Sequence, residues 1–157
     1  ANAEARKIGT RHSLVISIHS DAHQYGYIDA ECTIRYDREK HGPKSGKELF
    51  RTLEPTGANG WSCYTSKGAT ASDEYAEALY EEMKKLFPGA NLRTDKARDG
   101  DLDKEADFFV LKRTAGPAIL SENFFMTNEK DCKTILMDKK QRRKIAEAHF
   151  NMIKRFV

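Results

Sequence analysis

The sequence predicts an α/β layer fold: an open mixed or parallel sheet flanked by helices. Three observations carry that reading. Residues 13–18, SLVISI, form a short, β-branched apolar run of the kind a buried strand uses. Residues 61–65 (WSCYT) and 117–122 (PAILSE) are two further runs of strand length, the second opened by Pro117, where a missing donor is tolerated. Two segments with apolar residues at helical spacing are interleaved with these strands, and that alternation builds layers of sheet and helix. The 157 residues suffice for one domain with a sizeable core and are too few for two.

Each element has its own signal. Strand 13–18 should be buried on both faces and end at His19, because Ser20, Asp21, Ala22 and His23 break the apolar pattern. Residues 30–36, AECTIRY, alternate as a strand or hairpin arm does. From Asp37 to Gly60 the chain is rich in Gly, Pro, Lys and Glu, which predicts a long excursion with one short helix near Gly46–Leu53. Strand 61–65 leads through a turn at Lys67–Ala71 into a helix with Ser72 as N-cap and Asp73 and Glu74 in its first turn. Tyr75, Leu79, Met83, Leu86 and Phe87 fall on one face of that helix, and Pro88-Gly89 stops it. Residues 107–112, DFFVLK, read as a strand. A final helix over 138–156 is lined by Ile145, His149, Met152, Ile153 and Phe156, with His149 as a half-buried packing residue.

Composition narrows the function classes. With 27 Lys+Arg against 24 Asp+Glu, the formal charge of +3 is too mild to imply a nucleic-acid partner. The basic residues do gather at one end: residues 138–157 hold Lys139, Lys140, Arg142, Arg143, Lys144, Lys154 and Arg155 against Asp138 and Glu147. That cluster reads as a solvated helix face; the sharper alternative is a patch for an anionic polymer. No apolar run approaches the roughly 18–20 residues of a membrane span, and the opening ANAEARKIGTRH lacks the apolar core of a secretory signal. Cys32, Cys63 and Cys132 are odd in number and widely spaced, so no CxxC metal or redox pair exists. Free thiols fit a reducing compartment, with one disulfide left open.

Two motif matches fail. GPKSGKE at 42–48 has only three residues between its glycines, and Glu48 stands where a phosphate loop needs Ser or Thr. DGDLDKEAD at 99–107 has Lys104 in place of the turn glycine of a calcium loop and Val110 in place of its last ligand. Two polar residues at strand ends remain, His19 and Glu122. Sites in open α/β sheets gather at the carboxyl ends of strands, where an imidazole can bind a metal and a carboxylate can move a proton. Alone, a histidine at a strand end is more often a hydrogen-bonded structural group, and a glutamate there more often a salt-bridge or capping group.

The surrounding segments resemble one family. SLVISIHSDA at 13–22 and PAILSENFFMTN at 117–128 are similar to two signature strands of the zinc-dependent N-acetylmuramoyl-L-alanine amidases of the amidase-3 type. GWSCYTSKGATASDEYA at 60–76, DGDLDKEADFFVLKRT at 99–114, in the form carried by phage-type lysins, and QRRKIAEAHFNMIKRFV at 141–157 resemble three more of its segments, in the same order. The resemblance implies a peptidoglycan hydrolase that cleaves the amide between N-acetylmuramic acid and L-alanine. It implies a Zn2+ cofactor, His19 as a metal ligand and Glu122 as the catalytic base, acting in the bacterial cell wall or periplasm.

The family's first histidine turn and its glutamate ligand have no counterpart here. Residues 1–157 then correspond to the C-terminal two-thirds of one catalytic domain, without the family's first strand and helix. His12 and His23 are the nearest other histidines, but no helix aligns them with His19. The expectations are weak zinc binding, no turnover by this chain alone, association through an exposed sheet edge, and a 24–60 excursion that borders the substrate groove. A wall-binding module without catalysis is the competing reading, and a nucleic-acid binder using the 138–157 helix is a weaker one.

Overall fold

The computed structural model describes residues 2–10, 13–22, 26–28, 34–36, 57–96 and 100–157. Along the chain run α1 (Asn2–Ile8), β1 (Val15–Asp21), β2 (Gly26–Ile28), β3 (Ile34–Tyr36), β4 (Trp61–Thr65), α2 (Asp73–Leu86), β5 (Lys104–Glu105), α3 (Phe109–Arg113), β6 (Ala118–Phe125) and α4 (Lys139–Lys154). A helical turn at Glu129–Asp131 and a π-helical turn at Cys132–Leu136 connect β6 to α4. The main sheet has the order β1-β6-β4-β5, and β2 and β3 form a separate antiparallel pair. Within the main sheet β1 runs parallel to β6, β4 antiparallel to β6, and β5 parallel to β4. The expected α/β architecture with a mixed sheet is the one observed.

Helices α2 and α4 cover one face. Leu79 and Met83 of α2 and Ile145 and Met152 of α4 meet Trp61, Ile119 and Phe124 from the sheet in the larger apolar cluster. Burying side chains of this size contributes about 1.5–3 kcal/mol each. The opposite face carries a smaller cluster in which Leu111 of α3 packs on Ala118 and Leu120. Among the described residues, α3 packs on that face beside the first half of β6.

Several expectations change. Residues 107–112 are not a strand: Leu111 and Lys112 both donate their N–H to the Phe108 carbonyl, and Phe109–Arg113 form a helix. Only Leu111 of this segment is buried, while Phe109 is 78% exposed, so the apolar run mimicked a strand without having a sheet position. Strand β1 runs past His19 to Asp21, and it is not buried on both faces. Among the described residues it has a neighbour on one side only, and Ile18 is 60% exposed. Ser72 stands at the N-terminus of α2 but makes no side-chain cap; its Oγ instead accepts the Ala118 N–H, and Asp73 accepts from the Thr70 N–H and hydroxyl. His149 is fully buried rather than half-buried. Ile153 and Phe156, expected on the packed side of α4, are exposed. The predicted helix near Gly46–Leu53, residues 30–33 of the alternating strand, Cys32, His12, His23 and most of the excursion lie outside the described residues. Cys63 is a free, buried thiol, and Cys132 is buried.

Candidate active site

Register decides which side chains meet. In the β1–β6 ladder His19 is the partner of Glu122, and in the β4–β6 ladder Ser62 is the partner of the same residue. Residues paired across neighbouring strands project from the same face. His19, Glu122 and Ser62 therefore form one row on the face opposite α2 and α4. Alternation assigns their neighbours: Ser121 meets His149 of α4 on the far side, and Cys63 enters the core there. The row below holds Ser17, Leu120 and Tyr64. Ser17 Oγ lies 2.8 Å from His19 Nε2, which orients the imidazole along β1.

One residue past Glu122 the ladder breaks register. His19 pairs with Glu122 but Asp21 pairs with Phe125, so β6 carries one residue more than β1 between the two rows. The extra residue is accommodated at Phe124, whose φ of 63° places it in the left-handed region. The bulge turns the Phe124 ring into the core against Phe87 and returns Phe125 to the open face beside Asp21. Buried Asp131 fastens this point: its Oδ2 accepts N–H groups from Phe125 (3.1 Å) and Gly60 (2.8 Å). Gly60 is required there, because a Cβ would sit 2.1 Å from the Asn91 carbonyl oxygen.

Arg93 closes the upper row. Its Nη1 donates to Asp21 Oδ2 at 2.9 Å, and its guanidinium lies 4.8 Å from the Phe125 ring centroid. The half-buried Glu122 carboxyl is pushed up to about 7, mainly by burial and next by the charge of Asp21, against the opposing charge of Arg93. Two buried oxygens on register-paired positions, Glu122 Oε2 and Ser62 Oγ, have no hydrogen-bond partner among the described residues. Leaving such groups unpaired costs about 1–3 kcal/mol each, so the row is arranged for a partner from outside the described residues.

The sequence match that decides the family spans residues 2–155, and its description is N-acetylmuramoyl-L-alanine amidase. The chain belongs to this amidase family. Solved structures share the fold. An amidase of Nostoc punctiforme superposes with a TM-score of 0.64 at 17% identity, over 99% of this chain and 63% of its own. The amidase of Clostridium difficile 630 gives 0.61 at 19% identity, over 99% and 65%. The Mycobacterium smegmatis amidase gives 0.61 at 20% identity, over 99% and 57%. The chain thus spans about three-fifths of the length of its solved relatives. Comparison with curated proteins finds no match.

Of the residues singled out in the sequence, the fold brings His19 and Glu122 together. Reading the sequence did not find Ser17, Asp21, Ser62, Tyr64 or Arg93. Strict alternation along Ser17, His19 and Asp21 would have placed those three on one face. Arg93 comes from a loop bridged to the sheet at Leu92, and nothing local in the sequence marks it. The residues present fit part of a zinc site: one imidazole beside a carboxylate oxygen without a partner. Among the described residues no group of three His, Cys, Asp or Glu side chains could hold a metal ion, so further donors would come from outside them.

Proposed function

We propose that this domain hydrolyses the amide between N-acetylmuramic acid and L-alanine in peptidoglycan, with Glu122 as the proton-transfer residue. The observation that carries the reading is the row itself: a half-buried carboxyl with one oxygen unpartnered among the described residues, register-paired with an imidazole, in a chain that matches the amidase family over residues 2–155. Glu122 takes a proton from the attacking water and returns it to the leaving amine; a carboxyl titrating near neutrality can do both. His19 contributes one donor to a zinc ion, oriented by Ser17. Bound zinc would supply Lewis acidity, lowering the pKa of a coordinated water and polarising the scissile carbonyl. Ser62, register-paired with Glu122 beside Tyr64, places a hydroxyl for substrate or water at the same point. The site of action is the bacterial cell wall or periplasm.

The test is free-amine release from purified peptidoglycan by the full-length protein. Glu122→Gln should lower turnover by about 10²–10⁴-fold while wall binding and zinc content are kept. Retained activity in that variant overturns the assignment. A second reading, a wall-binding module without catalysis, draws on the row holding His19 as its one imidazole among the described residues, with no group of three metal donors there. It predicts sedimentation with peptidoglycan and no amine release by the wild type.

A further inference from the structure

Arg93 is held as a binding group is held. One donor goes to Asp21, and the guanidinium plane lies over Phe125, so its direction is set by a hydrogen bond and a ring at once. Its side chain is 30% exposed, open enough to meet a ligand and enclosed enough to be desolvated by one. Among the described residues no acceptor takes its Nη2 or Nε, which leaves at least three of the five donors unused. It stands close enough to Glu122 and Tyr64 for its charge to act on both. The bulge at Phe124 makes this possible, since without the added residue Phe125 would point into the helix layer.

We infer that Arg93 binds a carboxylate on the peptide portion of the substrate and so sets which stem peptides are taken, an inference that rests on the hydrolase reading of the same row. The chemistry selects the peptide side. The lactyl carboxyl of N-acetylmuramic acid is consumed in the scissile amide and the N-acetylated sugars are neutral, so anionic groups near the cut belong to the peptide. A guanidinium with a free fork matches a carboxylate in two parallel hydrogen bonds. Among the described residues Lys104 is another cation on this face, 5.8 Å from the Tyr64 ring centroid; it is a flexible point charge without a fixed fork.

The experiment is equilibrium binding of N-acetylmuramoyl-L-alanyl-D-glutamate and of its diamide to the full-length protein, with amine release read on the same samples. The wild type should bind the acid on the order of tenfold to a hundredfold more tightly than the diamide. Arg93→Gln should erase that preference. Arg93→Lys, which keeps the charge and the fold but loses the fork, should restore it only in part, and Lys104→Gln should keep it. Equal binding of the two ligands by the wild type, no binding of either, or loss of the preference in Lys104→Gln rather than Arg93→Gln overturns the inference. The two readings fail separately. Discrimination without amine release sustains Arg93 and sinks the hydrolase, and amine release without discrimination does the reverse.

Discussion

Ser121 Oγ lies 2.9 Å from His149 Nε2, on the helix side of the strand whose next residue, Glu122, faces the open side. His149 Nδ1 is 2.7 Å from the Ile145 carbonyl, which can only accept, so Nδ1 carries the proton and Nε2 receives the serine hydroxyl. Ser121 in turn accepts from Asn123, whose Oδ1 takes the Trp61 indole N–H. This network fixes the strand behind the candidate site. It also sets a pH limit on the fold. Burial depresses the His149 pKa, so below about pH 6.5 the unfolded chain takes up a proton that the folded chain refuses. Stability from this residue is therefore complete above pH 6.5 and lost as pH falls. His149→Gln should cost about 1–3 kcal/mol at pH 7 and flatten the acid side of a plot of urea midpoint against pH. An unchanged acid slope would contradict the assignment.

Asp103 should show the opposite slope. It is 1% exposed; its Oδ2 accepts from the Thr65 hydroxyl at 2.5 Å, and its Oδ1 has no hydrogen-bond partner among the described residues. Burial, helped by the charges of Asp101 and Asp73, raises the carboxyl to about 6. Between pH 4 and 6 the folded chain keeps a proton that the unfolded chain has lost, so stability declines as pH rises through that window. Above it the ionised, half-satisfied carboxylate is a standing cost. Asp103→Asn should raise stability by about 1–3 kcal/mol at pH 8 and change nothing below pH 4. Denaturation midpoints of the two proteins at those pH values decide it, and a variant destabilised at pH 8 refutes the account.

The helix at Phe109–Arg113 explains why part of the fold was legible and part was not. Strand β4 and helices α2 and α4 were readable because their periodicity coincides with burial: Leu79 and Met83, or Ile145 and Met152, repeat at the spacing of one helix face. DFFVLK has the aromatic and β-branched composition of a strand, but its environment is the rim of the sheet. There a single turn buries Leu111 against Ala118 and Leu120 and leaves Phe109 in solvent. The candidate site divides the same way. His19 and Glu122 stand out as polar ends of apolar runs, whereas Arg93 and Ser62 matter only through pairings that link residues far apart in the chain.

That helix can be tested directly. Leu111→Ala should cost about 2–4 kcal/mol, because it opens a cavity between α3 and β6. Phe109→Ala, on the exposed side, should stay within about 0.5 kcal/mol. A strand would have placed alternate residues on one face, so Phe109 and Leu111 would have suffered together. Comparable losses in the two variants would restore the strand reading.

Zinc affinity separates a complete metal centre from the partial one described. A catalytic zinc takes three protein donors and a water, and the described residues offer His19 with Glu122 beside it. Glu122 cannot serve both as a permanent ligand and as the residue that moves the proton. If the described residues supply all the donors, the 157 residues should bind zinc more weakly than about 10⁻⁶ M, far short of the roughly 10–16 kcal/mol of a complete structural site, and release no amine from peptidoglycan. Calorimetric titration measures the first and a free-amine assay the second. His19→Ala should remove whatever weak binding is seen, and Glu122→Gln should leave it in place. A tight one-to-one site on these residues would mean that donors outside the described segments complete the centre within this chain, and peptidoglycan turnover without added sequence should then accompany it.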